Sequence, residues 1–376
     1  MKKQPRHQEI SSELLTEILA GKHDHTDRLP SEAQLVKRFK VSRPTIARAL
    51  LDLKTKGILE RRAGSGTYLC KERDASPSIR QLGMIVPGLG KIEIFDVICG
   101  ELASLARVSD LGMHWGGSSR PRTEASMSIE EAEELCARYI GSAVSGVFFA
   151  PFEHTPDHEP ANRRITERLT HAGIPVVLLD RDICPFPQRS NFDLVGIDNF
   201  AGGYLLAEHL IKLGASRLAF VTQPFPAGTV EARKAGAVAA MLAHGIAIPR
   251  DFLHAGDPGY VKFARRLTAG RQYDAVICAN DHTAAQLLQT LTRLDVKIPQ
   301  TLRVVGFDDV RFATLLSVPL TTIQQPCRDI ALTAFNALCE RIADPTLPTR
   351  SLLLTPRLVV RESCGAYMEK GVRNSV

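Results

Sequence analysis

Several polar side chains stand where apolar runs of this sequence end. Asp180 closes IPVVLLD and Arg181 follows it. Asn280-Asp281 closes AVICAN, Asp308-Asp309 closes VVGFD, and Gln324-Gln325 ends TTIQQ. Arg233 lies near the start of an apolar helical stretch, 229–243. Carboxylate, guanidinium and amide groups converging on one cleft suit a hydroxyl-rich ligand. Each hydroxyl donates to a carboxylate and accepts from a guanidinium or an amide. Taken singly, these residues also read as helix caps or loop residues. For Asp281 and Asn199 that reading is equally open, because both stand where a helix begins.

A second set sits in the N-terminal fifth. Arg43, Pro44, Thr45 and Arg48 open a helix whose Ile46, Leu50 and Leu53 recur on one buried face. Ser42 reads as its cap, with Pro44 in the first turn. Ser31 caps an earlier helix through the box Ser31-x-x-Gln34. Phe39 and Val41 pin the turn between the two. Then 58–62 and 67–70 read as two strands around Ala63-Gly64-Ser65-Gly66. With Arg62 and Thr67 beside it, this glycine-rich tip can approach a phosphate backbone closely. An amphipathic helix over 8–20, with Ile10, Leu14 and Ile18 in register, supports the unit.

The elements between these sets alternate. Apolar strands fall at 82–87, 112–115, 146–151, 174–180, 194–198, 218–223, near 252–255, and at 275–280, 303–309 and 321–326. Helices fall between them, among them 95–108, 129–140, 165–172, 200–213, 229–243, 281–293 and 327–343. The segment 352–363 ends the fold. Strands apolar throughout and separated by helices imply parallel sheets covered on both faces. About 290 residues of this texture suggest two doubly wound α/β lobes, whose ligands sit outside the carboxyl ends of strands. The expected organisation is a winged helix-turn-helix over 1–70, a linker over 71–80, the two-lobed domain over 81–365 and a tail over 366–376.

Charge separates the parts. Residues 1–80 hold 17 Lys+Arg against 10 Asp+Glu, and the remainder 30 against 31. A basic head on a balanced body suits a nucleic-acid module joined to a domain with another task. The eight cysteines show no C-x-x-C pair, so neither a zinc site nor a disulfide framework is expected. No apolar segment follows the charged start MKKQPRHQEI, and no run of about 18 apolar residues exists. A cytoplasmic protein without a membrane segment is expected. Walker, nucleophile-elbow, H-E-x-x-H and G-x-G-x-x-G motifs are absent, so neither an enzyme nor a cofactor is expected. His154 and His158 share i, i+4 spacing, but PFEHTPDHEP reads as a solvated loop.

The pieces RLPSE, VSRPT, ALLDLKTKGIL and RRAGSGTYL resemble the winged helix-turn-helix of the gluconate-repressor (GntR) family. That family often carries an arginine four residues after the first recognition-helix arginine, where Ala47 stands here. Arg48 is rotated by about 100° from that position, toward a phosphate. Base reading then rests on Arg43, Pro44 and Thr45. The stretches GIPVVLLDRD, VGIDNFAGGYLLAEHLIKLGASRLAFV, VICANDHTAAQLL and IPQTLRVVGFDD resemble the effector domain of lac-repressor (LacI/GalR) regulators. This second resemblance implies a cleft closing on a small molecule, usually a sugar. Its ligand positions carry over to Asp180, Arg181, Arg233, Asn280, Asp308 and Gln325. Phe95 is the only aromatic where the family often has a stacking pair. The named set holds two carboxylates and two guanidiniums, so a neutral pentose or hexose is expected. Both resemblances imply a dimer on operator DNA. The combined expectation is a ligand-responsive repressor of carbohydrate-use genes. The alternatives are a sugar-binding protein of a transport system, or a regulator responding to a purine or a sugar phosphate.

Overall fold

The computed structural model describes residues 6–19, 29–55, 59–62, 66–69, 81–87, 89, 93–115, 127–154 and 156–368. The chain divides into two compact units, Met1–Ser78 and Ile79–Val376. The expected linker 71–80 and the wing-tip residues Ala63, Gly64 and Ser65 lie outside the described residues. So do the side chains of Ile18 and Arg62.

The first unit is three helices and a hairpin: α1 (Arg6–Leu19), α2 (Glu32–Phe39), α3 (Arg43–Thr55), β1 (Leu59–Arg62) and β2 (Gly66–Leu69). Ser31 begins α2 with the capping box that the sequence predicts. Ile10, Leu14, Leu35, Ile46, Ala49, Leu53 and Leu59 form one buried core, with Phe39 and Val41 against it. The stripe on α3 therefore faces inward. β1 and β2 pair antiparallel, with Arg62 opposite Gly66. The Leu29 N–H donates to the Thr67 carbonyl at 3.0 Å, tying the wing to the entry of α2. The Arg38 guanidinium spans both carboxylate oxygens of Glu17, joining α2 to α1.

The second unit opens with β3 (Gln81–Ile85), α4 (Glu93–Val108), β4 (Gly112–Trp115), α5 (Ile129–Gly141), β5 (Gly146–Phe149), α6 (His158–His171), β6 (Val176–Leu179) and β7 (Asp193–Ile197). It continues with α7 (Asn199–Lys212), β8 (Leu218–Thr222), α8 (Gly228–Ala243), β9 (Leu253–Ala255), α9 (Val261–Thr268), β10 (Ala275–Cys278), α10 (Asp281–Arg293) and β11 (Arg303–Val305). The last elements are β12 (Thr322–Gln324), α11 (Cys327–Ala343), β13 (Ser351–Leu354) and β14 (Arg357–Val359). A six-stranded sheet of order β13-β7-β6-β5-β3-β4 and a four-stranded sheet of order β11-β10-β8-β9 make the two lobes. All their pairings are parallel. Every residue of β5, β6, β7, β8 and β10 is buried, as strands covered on both faces require.

The chain crosses between lobes three times, after β7, after β12 and between β13 and β14. The expected single closing segment 352–363 is thus two strands. Pro356 separates β13, on the first sheet, from β14, which pairs antiparallel with β12. A proline lacks the N–H that a continuous ladder would use. The stretch 165–172, expected to lie in a helix, falls in α6 and its C-cap, and the helix begins earlier, at His158. Helices α7 and α8 cross at glycines. A Cβ on Gly203 would lie 1.9 Å from the Arg233 carbonyl oxygen, and one on Gly236 would lie 1.9 Å from that of Phe200. Among the described residues, no helix is long and apolar enough to cross a membrane.

Candidate functional site

The cleft between the lobes collects side chains from the carboxyl ends of strands in both sheets. Asp180 and Arg181 follow β6, Asp308 follows β11, Gln325 follows β12, and Arg233 reaches in from α8. All five are buried or nearly so. Asp180 and Asp308 hold φ of 67° and 113°, which L residues rarely adopt. The turn leaving each strand is therefore held by its surroundings rather than by local preference.

Both guanidiniums are tied to neighbouring groups. Arg233 donates from Nε to Asn199 Oδ1 at 2.8 Å and from Nη1 to the Ala279 carbonyl at 2.7 Å. Its Nη2 lies 3.8 Å from Asp308 Oδ1, and its Cζ stands 3.6 Å from the centroid of the Phe307 ring. Arg181 pairs through Nε with Asp180 Oδ2 at 3.1 Å and through Nη1 with Glu153. Its Cζ lies 5.4 Å from the ring centroid of Phe95, so that buried ring backs Arg181. Gln325 Nε2 donates to Asp308 Oδ1 at 2.7 Å. Two acceptors are left over. Asp180 Oδ1 and Gln325 Oε1 are buried and meet no donor.

Glu153 is the residue that the sequence reading missed. By composition the loop PFEHTPDHEP reads as solvated. It instead carries Glu153 inward from the end of β5 onto Arg181, and His158 opens α6. The signal was available, because Glu153 stands at the carboxyl end of a buried strand, where ligands of such sheets gather. The same loop bridges the lobes. The His154 N–H donates to the Phe225 carbonyl at 2.8 Å, and His154 Nδ1 lies 3.0 Å from the Pro224 carbonyl.

Two further candidates make bonds within the fold. Asn280 caps α10, its Oδ1 accepting the Thr283 N–H at 2.8 Å. Asp281 accepts from the Thr322 hydroxyl at 2.6 Å and the Val310 N–H at 3.0 Å. Asp309 is likewise held, by Gln324 and Arg361. Asn199 supports Arg233. Arg311 is exposed.

Burial pushes the Asp308 carboxyl up to about 6, with Asp180 and Glu153 adding to the rise while Arg233 and Gln325 oppose it. Burial also works against charge on Glu153, but Arg181, His154 and Arg233 together hold it below the ordinary carboxylate range. Glu153 and Asp180 keep Arg181 charged despite its burial. Among the described residues, no group of three or more His, Cys, Asp or Glu could hold a metal ion.

On the first unit, Arg43, Pro44, Ala47 and Arg48 are exposed at the start of α3. Arg43 Nε sits 3.3 Å from Glu32 Oε2. The expected side-chain cap by Ser42 is not formed. Its hydroxyl meets that of Thr45 at 2.8 Å, while its backbone carbonyl accepts the Thr45 and Ile46 N–H groups. The Ser31 hydroxyl is occupied by its capping box.

A helix-turn-helix unit joined to a two-lobed ligand domain is the class that this architecture defines. Residues 6–69 match the model for bacterial regulatory proteins of the gntR family, and residues 207–364 match the periplasmic binding protein-like domain. The chain thus combines a GntR-type head with a periplasmic-binding-protein-like domain, and its relatives are transcriptional repressors. It is 24% identical over 375 residues to the arabinose metabolism transcriptional repressor of Geobacillus stearothermophilus, covering 96% of this chain and 97% of the other. It is 33% identical over 213 residues to the ribose operon repressor of Escherichia coli (strain K12), covering 56% of this chain and 62% of that one. A LacI family transcriptional regulator from Enterococcus faecium, solved with bound ribose, superposes with a TM-score of 0.58 at 25% identity. That match covers 75% of this chain and 98% of the other.

Proposed function

We propose that this chain is a cytoplasmic transcription repressor that binds operator DNA as a dimer and releases or grips it according to a monosaccharide in the interlobe cleft. The observation that carries the ligand class is the pair of buried, unpartnered acceptors, Asp180 Oδ1 and Gln325 Oε1, beside guanidiniums already bonded. Leaving such an acceptor unmatched costs about 1–3 kcal/mol, so a ligand rich in hydroxyl donors gains by entering. The relatives' names put an aldopentose first among candidates. The exposed end of α3 is the base-reading element, and the wing supplies backbone contacts.

A thermal-shift screen of aldopentoses, aldohexoses, their phosphates and purines tests the reading. A ligand at 100 times its dissociation constant adds about 2.7 kcal/mol of stability. Stabilisation by a purine alone would replace the sugar reading.

Arg43→Ala is expected to weaken the duplex that the protein selects from a random pool by about 1–3 kcal/mol, with little change on a scrambled duplex. Arg48→Ala is expected to weaken both alike and to lower the salt slope by about one. Equal losses on both duplexes for Arg43→Ala would remove its base-reading role.

pH supplies a further expectation. The folded-state value of Asp308 is raised, to about 6. Its contribution to stability is therefore full below the unfolded carboxylate value and is lost as pH rises through about 6. Ionised Asp308 is also the better acceptor for a hydroxyl. Sugar affinity measured by calorimetry should then rise between pH 5 and pH 7, while this group's contribution to ligand-free stability falls. An Asp308→Asn variant should show neither trend from this site.

A further inference from the structure

We infer that Glu153 sets the charge class of the ligand, admitting an uncharged polyol and turning away its anionic derivatives. This inference rests on the sugar reading of the cleft and assigns the residue that enforces it.

The charge count changes once Glu153 is placed. Asp180 and Asp308 against Arg181 and Arg233 sum to zero. Glu153, ion-paired with Arg181, adds a third carboxylate to the same enclosed space. His154 Nε2 stands 3.5 Å from Glu153 Oε2, so its proton, when bound, offsets that addition. At neutral pH the set is therefore at most balanced, and with His154 uncharged it carries one excess negative charge.

The geometry matters as much as the sum. An anionic ligand needs guanidinium N–H groups to turn toward it. The Arg181 fork is held on one side by Asp180 and on the other by Glu153, with the Phe95 ring against it. Arg233 is held by Asn199, Ala279 and Phe307, with Asp308 close by. A phosphate or carboxylate entering here would break one of these pairs in a buried site or lie against carboxylates, and both cost free energy. A hydroxyl needs neither, because it donates to the free oxygens of Asp180 and Gln325. Glu153 also sits next to His154, which bonds across to the Pro224–Phe225 segment. Its carboxylate is thus fixed where the two lobes meet over the cleft.

The test uses the full-length protein and matched pairs: ribose with ribose 5-phosphate, and glucose with glucose 6-phosphate and glucuronate. Affinities are read by calorimetry at pH 7.5 for the parent, Glu153→Gln and Glu153→Asp. The parent should favour the neutral member of the pair it binds by at least roughly tenfold. Glu153→Gln should narrow that preference by roughly tenfold, because the neutral amide releases Arg181. Glu153→Asp, which keeps the charge, should preserve it. A merely structural role would lower both members together and leave the ratio alone. A neutral sugar that binds the parent with an unchanged ratio in Glu153→Gln overturns this inference and leaves the sugar reading standing. A parent that binds the anionic member as tightly as the neutral one overturns it without any variant, should Glu153→Gln fail to fold. Where another aldopentose or aldohexose is the screen's best binder, it and its phosphate form the pair; no binding of any aldopentose or aldohexose to the parent removes the sugar reading, and this inference with it.

Discussion

Arg233→Ala is expected to abolish ligand binding and to destabilise the two-lobed domain by roughly 3–5 kcal/mol. The side chain is buried, and its loss strands several partners at once. Asn199 Oδ1 and the Ala279 carbonyl lose their donor, and Asp308 loses its nearest cation. The Phe307 ring loses the plane stacked 3.6 Å away. An Asp308 carboxylate without Arg233 would hold its proton more firmly, so the variant cleft would also be a poorer acceptor at neutral pH. Arg233→Lys should recover part of the stability but little of the binding, because an ammonium cannot reproduce the fork. Denaturant unfolding and calorimetry measure the two effects separately. Binding of the best screened sugar at the parent's affinity would show that the cleft has been wrongly assigned.

Gly236→Ala should be nearly as damaging, by a different route. In a helix this change normally gains up to about 1 kcal/mol from propensity. Here the new methyl would sit 1.9 Å from the Phe200 carbonyl oxygen, so α7 and α8 must move apart. Overpacking of this kind costs about 1–3 kcal/mol or more. The two helices also carry the two ends of the Asn199–Arg233 hydrogen bond. Separating them loosens the Arg233 guanidinium as well, so affinity for the proposed sugar and stability should fall together. Gly141→Ala is the control. It lies at the end of α5 with nothing within 4 Å of a new Cβ, and it should be neutral or slightly stabilising. A Gly236→Ala protein as stable as the Gly141→Ala protein would mean that the helices are not closely packed.

The alternation of buried strands and helices was legible because each central strand is apolar on both faces, which leaves few other readings. The spans of α10 and α11 were legible to the residue, because Asn280 and Pro326 mark their starts. Asp180, Arg181, Arg233, Asp308 and Gln325, which the fold brings together, are singled out by one rule, polar residues at the ends of buried strands or near a helix start. The same rule also selects Asn280, where the end of a strand is the cap of a helix and one side chain satisfies both descriptions. Glu153 escapes it, because three prolines and two histidines make that loop look solvated. Composition describes a loop's average, whereas an ion pair with Arg181 is decided by one side chain. The split between β13 and β14 turned on Pro356, a local signal outweighed by the apolar residues around it. The close crossing at Gly203 and Gly236 could not be read at all, since a helix glycine shows its partner only in three dimensions.

The strand order of the larger sheet has a consequence for synthesis. Its edge strand β13 and its covering helix α11 are encoded after the whole four-stranded sheet of the second lobe, although β13 pairs with β7. Arg341 and the Arg350 N–H then grip the buried Asp193 at the start of β7. A ribosome adding about 5–20 residues per second needs roughly 8–30 s to travel from the end of β7 to β13. Throughout that interval the nascent first lobe presents an unpaired apolar strand edge, the kind of surface that invites chaperones or aggregation. A premature stop codon between α10 and β13 would make that exposure permanent. It would damage the half of the domain that was translated first, while leaving its own codons untouched.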